Sequence, residues 1–229
     1  MSPSTAPARI PEHRLAASIA IVGILALYAF LPPDLLGNIR YVVIGLVIAL
    51  FVPAVILNPR RLSRETRWSR LTTLALALII TVTNQVTLVL LIGVLVGGSH
   101  QGPELLLAAL EVWGTNVLGF ALLFWELDRG GPVARNRLEH DEMRAADFRF
   151  PQDEDHDAVA EVAIRSSQKS GWVPQYIDYL YFSLSNSMAF SPTDTMPLSH
   201  RAKLFMGLES FAGFVILALV IARGVSLIG

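Results

Sequence analysis

Long apolar runs alternate with short polar links along this chain, and the pattern predicts a bundle of membrane-spanning helices. A helix needs about 20 apolar residues to cross roughly 30 Å of hydrocarbon. Five runs approach that length and carry almost no charge: 15–31, 41–57, 71–96, 105–125 and 204–221. The first four define an N-terminal membrane region, 1–125. The predicted fold class is therefore an all-α, polytopic transmembrane helical bundle.

The pattern changes between the fourth and the last apolar run. Residues 126–171 are charged and contain no run long enough to cross a membrane, so they are predicted to form a polar loop. One amphipathic stretch, 157–164, predicts a short surface helix. The C-terminal region, 172–229, begins with an aromatic apolar segment, 176–190, and a polar turn, 191–200, and then contains the last run.

Composition supports the membrane interpretation and excludes several functions. Of 229 residues, 53% are hydrophobic and 16% are charged, unlike a typical soluble domain. The net charge of -1 gives no electrostatic basis for binding nucleic acid. The absence of cysteine excludes disulfides and thiolate chemistry. Because no catalytic set or phosphate loop is visible, we predict neither an enzyme nor a bound cofactor.

An acidic cluster at 153–157 is compatible at first sight with a calcium loop. Counting from Asp153, acids occupy the first, third and fifth positions, but Ala158 and Ile164 stand where such a loop needs glycine and glutamate. The five histidines are scattered, without metal-ligand spacing. We therefore predict no metal site here. The cluster is instead expected to be a solvated part of 126–171, a region that could bind a soluble partner.

Arginines predict the orientation in the lipid bilayer, because short cytoplasmic loops are enriched in positive charge. The opposite side carries only Arg40 near its helix ends. The predicted cytoplasmic side carries Arg9, Arg14, Arg60, Arg61, Arg64, Arg67, Arg70, Arg129, Arg135 and Arg137. This rule places the N-terminus and residues 126–171 in the cytoplasm.

Three amides lie within the predicted third and fourth spans. Asn84, Gln85 and Asn116 are equally distant from the turn that joins these helices, and so they are expected at equal depth, facing each other or the bundle interior. An unpaired amide is costly in hydrocarbon, whereas an interhelical hydrogen bond returns about 0.6 to 2 kcal/mol. Two interpretations stay open, namely hydrogen bonding between helices and the lining of a polar pathway.

Two carboxyl groups also fall within predicted spans. Glu111 and Glu209 each lie about two turns from a helix end, where reaching toward the interface would relieve the cost of burying a charge. The alternative is a site that handles a proton or a cation. Glu111 ranks first for that role because it precedes the polar sequence Gly114, Thr115 and Asn116.

The C-terminal region resembles the pore module of potassium channels, in which a short aromatic helix precedes a filter turn and a pore-lining helix. The positions that carry the resemblance are Tyr181, Phe182, Asp194, Pro197, Lys203 and Gly213. The resemblance implies a hinge at Gly213. It also implies pore or filter positions at Asn186, Ser187, Phe190, Ser191, Thr193 and Asp194.

The chain as a whole resembles a bacterial family of predicted inner-membrane proteins of uncharacterised function, for which a run such as 179–197 is typical. This resemblance implies a bacterial inner (plasma) membrane location. By channel analogy alone, one module per chain implies a homotetramer. The small residues Gly207, Ser210 and Gly213 are consistent either with packing inside one chain or with a subunit interface.

The filter sequence departs from that of potassium channels. Ser191 and Thr193 stand where the channel family has glycines, with Pro192 between them, and L-residues do not readily adopt the conformations that glycine supplies. A standard potassium filter is therefore not expected. Residues 186–194 are expected to form a turn of hydroxyls and amides, suited to weak cation contact or to a closed cap.

The resemblance and the arginines disagree about direction. A potassium-type filter enters from outside, whereas the arginines place the start of 172–197 in the cytoplasm. Either the arginines mislead, or the segment enters from the cytoplasm, or it crosses as a sixth span, which leaves five or six spans. The leading functional expectation is a channel-like protein that passes small cations. The alternatives are a non-conducting structural or partner-binding protein and a small-solute transporter.

Overall fold

The computed structural model describes residues 11–96, 102–189 and 194–228. This part of the chain is helical apart from short turns and one two-stranded ribbon, so the predicted all-α class is confirmed. Strands β1 (Phe148–Arg149) and β2 (Met196–Pro197) pair antiparallel. The helices are α1 (Leu15–Phe30), α2 (Pro33–Leu36), α3 (Ile39–Leu57), α4 (Arg67–Val96), α5 (Gly102–Leu127), α6 (Pro132–Arg137), α7 (Ala160–Ala163), α8 (Ser167–Ser170), α9 (Tyr176–Ala189) and α10 (His200–Ile228).

Four of the described helices are long and apolar enough to cross a membrane: Ile39–Leu57, Arg67–Leu95, Pro103–Gly130 and His200–Val225. Helix α1 is a shorter apolar helix. These helices support an integral membrane protein. Helices α3, α4, α5 and α10 are longer than the spans predicted within them, because each helix continues beyond the apolar run, whereas α1 ends one residue before its predicted span does. Helix α4, for example, begins at Arg67 rather than at residue 71.

Helix α5 forms the centre of the bundle and packs against α1, α4, α9 and α10. Its apolar stretch is 61% buried, compared with 17% for α3. Small residues allow this close packing. A methyl group on Gly119 would lie 3.1 Å from a side-chain carbon of Ile80 in α4, and one on Gly114 would lie 3.4 Å from Leu27 in α1.

Helix α9 is the shortest of the helices that pack around α5. Its 14 residues span about 21 Å, against about 30 Å of hydrocarbon. Tyr176 stacks edge-on against Trp125 near the end of α5, whereas Ser187 accepts a hydrogen bond from Trp113, three turns earlier in that helix. Helix α9 is therefore antiparallel to α5.

Helices α9 and α10 run parallel. The Asn186 amide donates to the Met206 carbonyl at 3.1 Å, and the Ser187 carbonyl lies against Gly213. Between the two helices, β2 pairs with β1, which lies beside the C-terminal end of α5. The chain therefore starts both helices from the same end of the bundle.

Residues 128–175 form a folded cap over that end. The predicted polar loop did not imply the specific contacts that this cap makes with the bundle. The Asp147 carboxylate accepts two hydrogen bonds from the Arg201 guanidinium at 2.8 and 2.5 Å, which ties the cap to the start of α10. The predicted surface helix 157–164 is reduced to α7, and Asp155–Asp157 forms a 3₁₀ turn instead. We call the cap end of the bundle the arginine-rich end, because it holds Arg14, Arg64, Arg70 and Arg129.

Candidate functional site

A buried carboxyl group, Glu209, lies where α5, α9 and α10 meet. Its side chain has no exposed surface. Ser183 and Asn186, both on α9, contact its two oxygens, with the Asn186 amide donating to Oε2 at 2.7 Å. Within the described residues, no basic side chain forms an ion pair with Glu209. Across the described ranges, the side chains that contact the carboxyl group are therefore neutral.

The hydrogen atoms available around Glu209 fit its protonated form. Ser183 has one hydroxyl hydrogen, yet its Oγ lies beside the Glu209 Oε1 and 2.8 Å from the Val117 carbonyl oxygen. If the hydroxyl donates to Val117, the second contact needs a hydrogen from Glu209. A neutral Glu209 supplies it and also avoids an unpaired charge in the bundle interior.

Asn186 is the second fixed point of this cluster. Its amide nitrogen donates both hydrogens, to Glu209 and to the Met206 carbonyl, while the Ser210 hydroxyl donates to its Oδ1 at 2.9 Å. All polar atoms of the Asn186 side chain are thus engaged, and 2% of the residue is exposed. Asn186 therefore holds α10 against α9.

Amides connect this cluster to α4. Gln85 donates to Asn116 Oδ1 at 2.9 Å, and Asn116 donates to the Glu209 backbone carbonyl at 3.4 Å. Asn84 donates to the Val112 carbonyl at 2.9 Å. Gln85 and Asn116 therefore face each other across the α4–α5 hairpin, and Asn84 bonds to the backbone of α5. Together they extend the polar interior across three helices.

Glu209 and Glu111 differ from expectation in their surroundings. Glu209 is fully buried because α9 covers its side chain. It therefore does not reach toward the interface, as its position along the sequence allowed. Glu111 is half-buried on α5, and its Oε2 has no hydrogen-bond partner in the part of the chain that is described. The structure favours Glu209 over Glu111 as the candidate site.

Three of the filter-like positions are described by the structure. Asn186 and Ser187 are buried against α5 and α10, and Asp194 is exposed. Phe190, Ser191 and Thr193 lie outside the described residues. The hinge-like Gly213 allows close approach, since any side chain there would overlap the Ser187 carbonyl. Together with Ser210, which donates to Asn186, it packs inside the chain; a methyl group on Gly207 would meet nothing.

The cap fixes the start of α9. Buried Asp128 accepts hydrogen bonds from the Tyr179 hydroxyl at 2.6 Å and from the Asp147 backbone N–H at 2.7 Å. Arg129 donates to Asp153 at 2.5 Å, so this member of the acidic cluster is occupied by a cation of the protein itself. No group of residues suited to hold a metal ion is present in the described ranges.

Titratable groups at the arginine-rich end are partly desolvated. Burial raises the pKa of Glu12, while Arg135 and the donors Tyr176 N–H and Trp125 N–H oppose that shift. Burial also raises the pKa of Glu65, with Arg70 opposing. Arg70 reaches the buried Glu126 at 2.8 Å, across Gly131, where a side chain would overlap the guanidinium. These contacts join the N-terminal segment, α4 and α5.

Ser183 is the site residue that sequence reasoning missed. A serine in an aromatic amphipathic segment gives little signal by itself. Its spacing did carry some information, because Ser183, Asn186 and Ser187 recur at helical intervals and share one face of α9.

Comparison with known proteins finds no match: no family model, no curated protein and no solved structure is similar to this chain.

Proposed function

We propose that this integral membrane protein is channel-like and passes small cations through its C-terminal region, 172–229, with the proton as the first candidate. The observation that carries the proposal is the position of Glu209. A carboxyl group that has no basic partner in the described part of the chain lies in the bundle interior, held by a short helix, α9, that begins at the same end as α10. Intramembrane carboxyl groups in such surroundings commonly belong to ion pathways or proton relays.

The arrangement of α9 and α10 supports the channel-like part of the proposal. A half-length helix that enters and a long helix that follows from the same end are the elements of a pore module. Irregular backbone at membrane depth is tolerated only where protein or water covers it. One such module per chain would require several chains around a central axis, and a tetramer follows from channel analogy.

The chemistry of Glu209 favours the proton among small cations. Its contacts fit the neutral acid, and Asn186 and Ser183 would stabilise the carboxylate left after the proton departs. The amides Gln85 and Asn116 supply further donors in the same interior. Glu209 is then the group that accepts and releases the ion.

We also infer that the arginine-rich end faces the cytoplasm of a bacterium and that the protein lies in its inner membrane. Positive charge near helix ends supports this orientation. Helix α9 would then enter from the cytoplasm, opposite to the direction in potassium channels. The N-terminus would be cytoplasmic as well.

Flux into liposomes tests the proposal. Purified protein is reconstituted, and proton entry is followed with a trapped pH-sensitive dye while potassium flux is measured in parallel. We expect proton entry with the wild-type chain and none with Glu209→Gln, which keeps the shape of the neutral acid but cannot release a proton. Equal flux in both proteins would remove Glu209 from the pathway.

A non-conducting protein that binds a soluble partner is the second candidate. The observation that favours it is a group of exposed aliphatic side chains on the otherwise polar cap, Val159, Val162 and Ile164, which are 63%, 43% and 64% exposed. Liposomes that pass neither ion, together with unchanged growth of Asn186→Ala and Asp194→Ala strains, would favour this candidate over the first.

A further inference from the structure

A small cavity with both apolar and charged lining residues lies at the arginine-rich end, between α1, α3, α4 and α5, away from Glu209. Its volume is about 40 Å³, which corresponds to roughly three water-sized positions. Three arginines and two glutamates line it, so its walls carry one net positive charge: Arg14, Arg64, Arg70, Glu65 and Glu126. Ser18, Ser69 and Thr73 also line it.

Arg14 is the unusual member of this lining. It is 7% exposed, and its Nη1 donates to the Ala54 carbonyl at 2.6 Å, near the end of α3. Its Nε is buried and has no hydrogen-bond partner among the residues that the structure describes. Within residues 11–96, 102–189 and 194–228, no carboxylate forms an ion pair with it.

The glutamates of the lining are already occupied. Arg70 donates to the Glu126 carboxylate at 2.8 Å and lies 3.6 Å from Glu65, and the Thr73 hydroxyl also contacts Glu126. Arg70 therefore offsets much of the negative charge of the cavity, while the charge of Arg14 is not offset by a direct partner. A buried cation of this kind is costly unless an anion accompanies it.

We propose that this cavity binds a single phosphate-type oxyanion, with Arg14 as its principal charged contact. Arginine presents several donors in a planar fork that suits phosphate oxygens. The guanidinium is held by its bond to the Ala54 carbonyl and lies over the Phe51 ring at 5.6 Å, and the proposed anion would contact Arg14 where it lines the cavity. The anion has two possible sources, inorganic phosphate from solution or the headgroup of an anionic lipid at the membrane surface.

The test uses the full-length protein and its thermal unfolding, followed by tryptophan fluorescence, because a ligand that binds only the folded state raises the unfolding temperature. One arm titrates inorganic phosphate against chloride at equal ionic strength in detergent. The other compares nanodiscs of phosphatidylglycerol with nanodiscs of phosphatidylcholine. Saturable stabilisation by phosphate supports a soluble anion, and stabilisation confined to phosphatidylglycerol supports a lipid headgroup.

Variants connect the effect to the cavity. Arg14→Gln should weaken binding about tenfold or more, as expected for a lost charged hydrogen bond. Ser18→Leu fills the cavity but keeps Arg14 and its bond to Ala54, so it should abolish binding even if Arg14→Gln folds poorly. The control is Arg67→Gln, an exposed arginine outside the cavity. No stabilisation in either arm, or full stabilisation in the Ser18→Leu protein, would overturn the proposal.

Discussion

Replacement of Glu209 by glutamine should leave the fold almost unchanged while it removes the titratable group. A glutamine amide can donate to Ser183 and accept from Asn186 through its carbonyl oxygen, which reproduces the contacts of a neutral acid. The size of the side chain is also kept. We therefore expect the free energy of unfolding to change by no more than about 1 kcal/mol, within the worth of one hydrogen bond.

Replacement of Glu209 by alanine gives the matched comparison. It removes two side-chain hydrogen bonds, each worth about 0.6 kcal/mol and at most about 1.7 between membrane helices. It also leaves a cavity in a fully buried position, and large-to-small core substitutions cost about 2 to 5 kcal/mol. Glu209→Ala should accordingly be less stable than the wild type by about 3 to 6 kcal/mol.

The assay is unfolding by a denaturing detergent, monitored through tryptophan fluorescence. Trp113 is a suitable reporter because its indole N–H donates to Ser187 at 3.0 Å, close to the cluster. Circular dichroism of the folded proteins checks that helix content is unchanged. If the glutamine variant were as unstable as the alanine variant, Glu209 would not be the neutral acid that its contacts indicate, and the proton argument would fail.

Three further predictions concern packing, the cap and pH. Gly213→Ala should cost about 1 to 3 kcal/mol through overpacking, whereas the control Gly207→Ala should not destabilise; equal unfolding curves would refute the close contact. Asp147→Ala should speed proteolysis of the cap severalfold, and unchanged cleavage would count against its anchoring role. Because burial raises the pKa of Glu12 above its ordinary 4.5, the folded state retains that proton longer, so the unfolding temperature should fall as pH rises from 4.5 through the raised value. Glu12→Gln should flatten this fall, and a Trp125 fluorescence titration centred at or below 4.5 would contradict it.

Much of the helical bundle is predictable from the sequence, because lipid imposes a simple requirement. A helix that crosses hydrocarbon must be long and apolar, and runs such as 71–96 meet both conditions in the sequence itself. Equal distance from a hairpin turn was enough to bring Gln85 and Asn116 together. Both inferences depend on local order along the chain.

The site at Glu209 was harder to predict because it depends on how α9 packs against α10. Position along α10 alone allowed Glu209 to reach the interface. Only the parallel packing of α9, which brings Ser183 and Asn186 to the carboxyl group, explains its burial. The cap was missed for a similar reason, since the strand pairing of Arg149 with Met196 joins segments that are far apart in sequence.

The most direct test of the central claim determines whether the two ends of α9 connect to the same side of the membrane. The chain has no cysteine, so single cysteines that replace Ser170 and Leu198, on either side of α9, can be labelled in sealed membrane vesicles with an impermeant maleimide. If α9 enters the membrane from the cytoplasm and the chain returns to that side before α10, both cysteines are labelled from the same, cytoplasmic side. Labelling from opposite sides would mean that α9 crosses the membrane, and the channel-like account would be wrong.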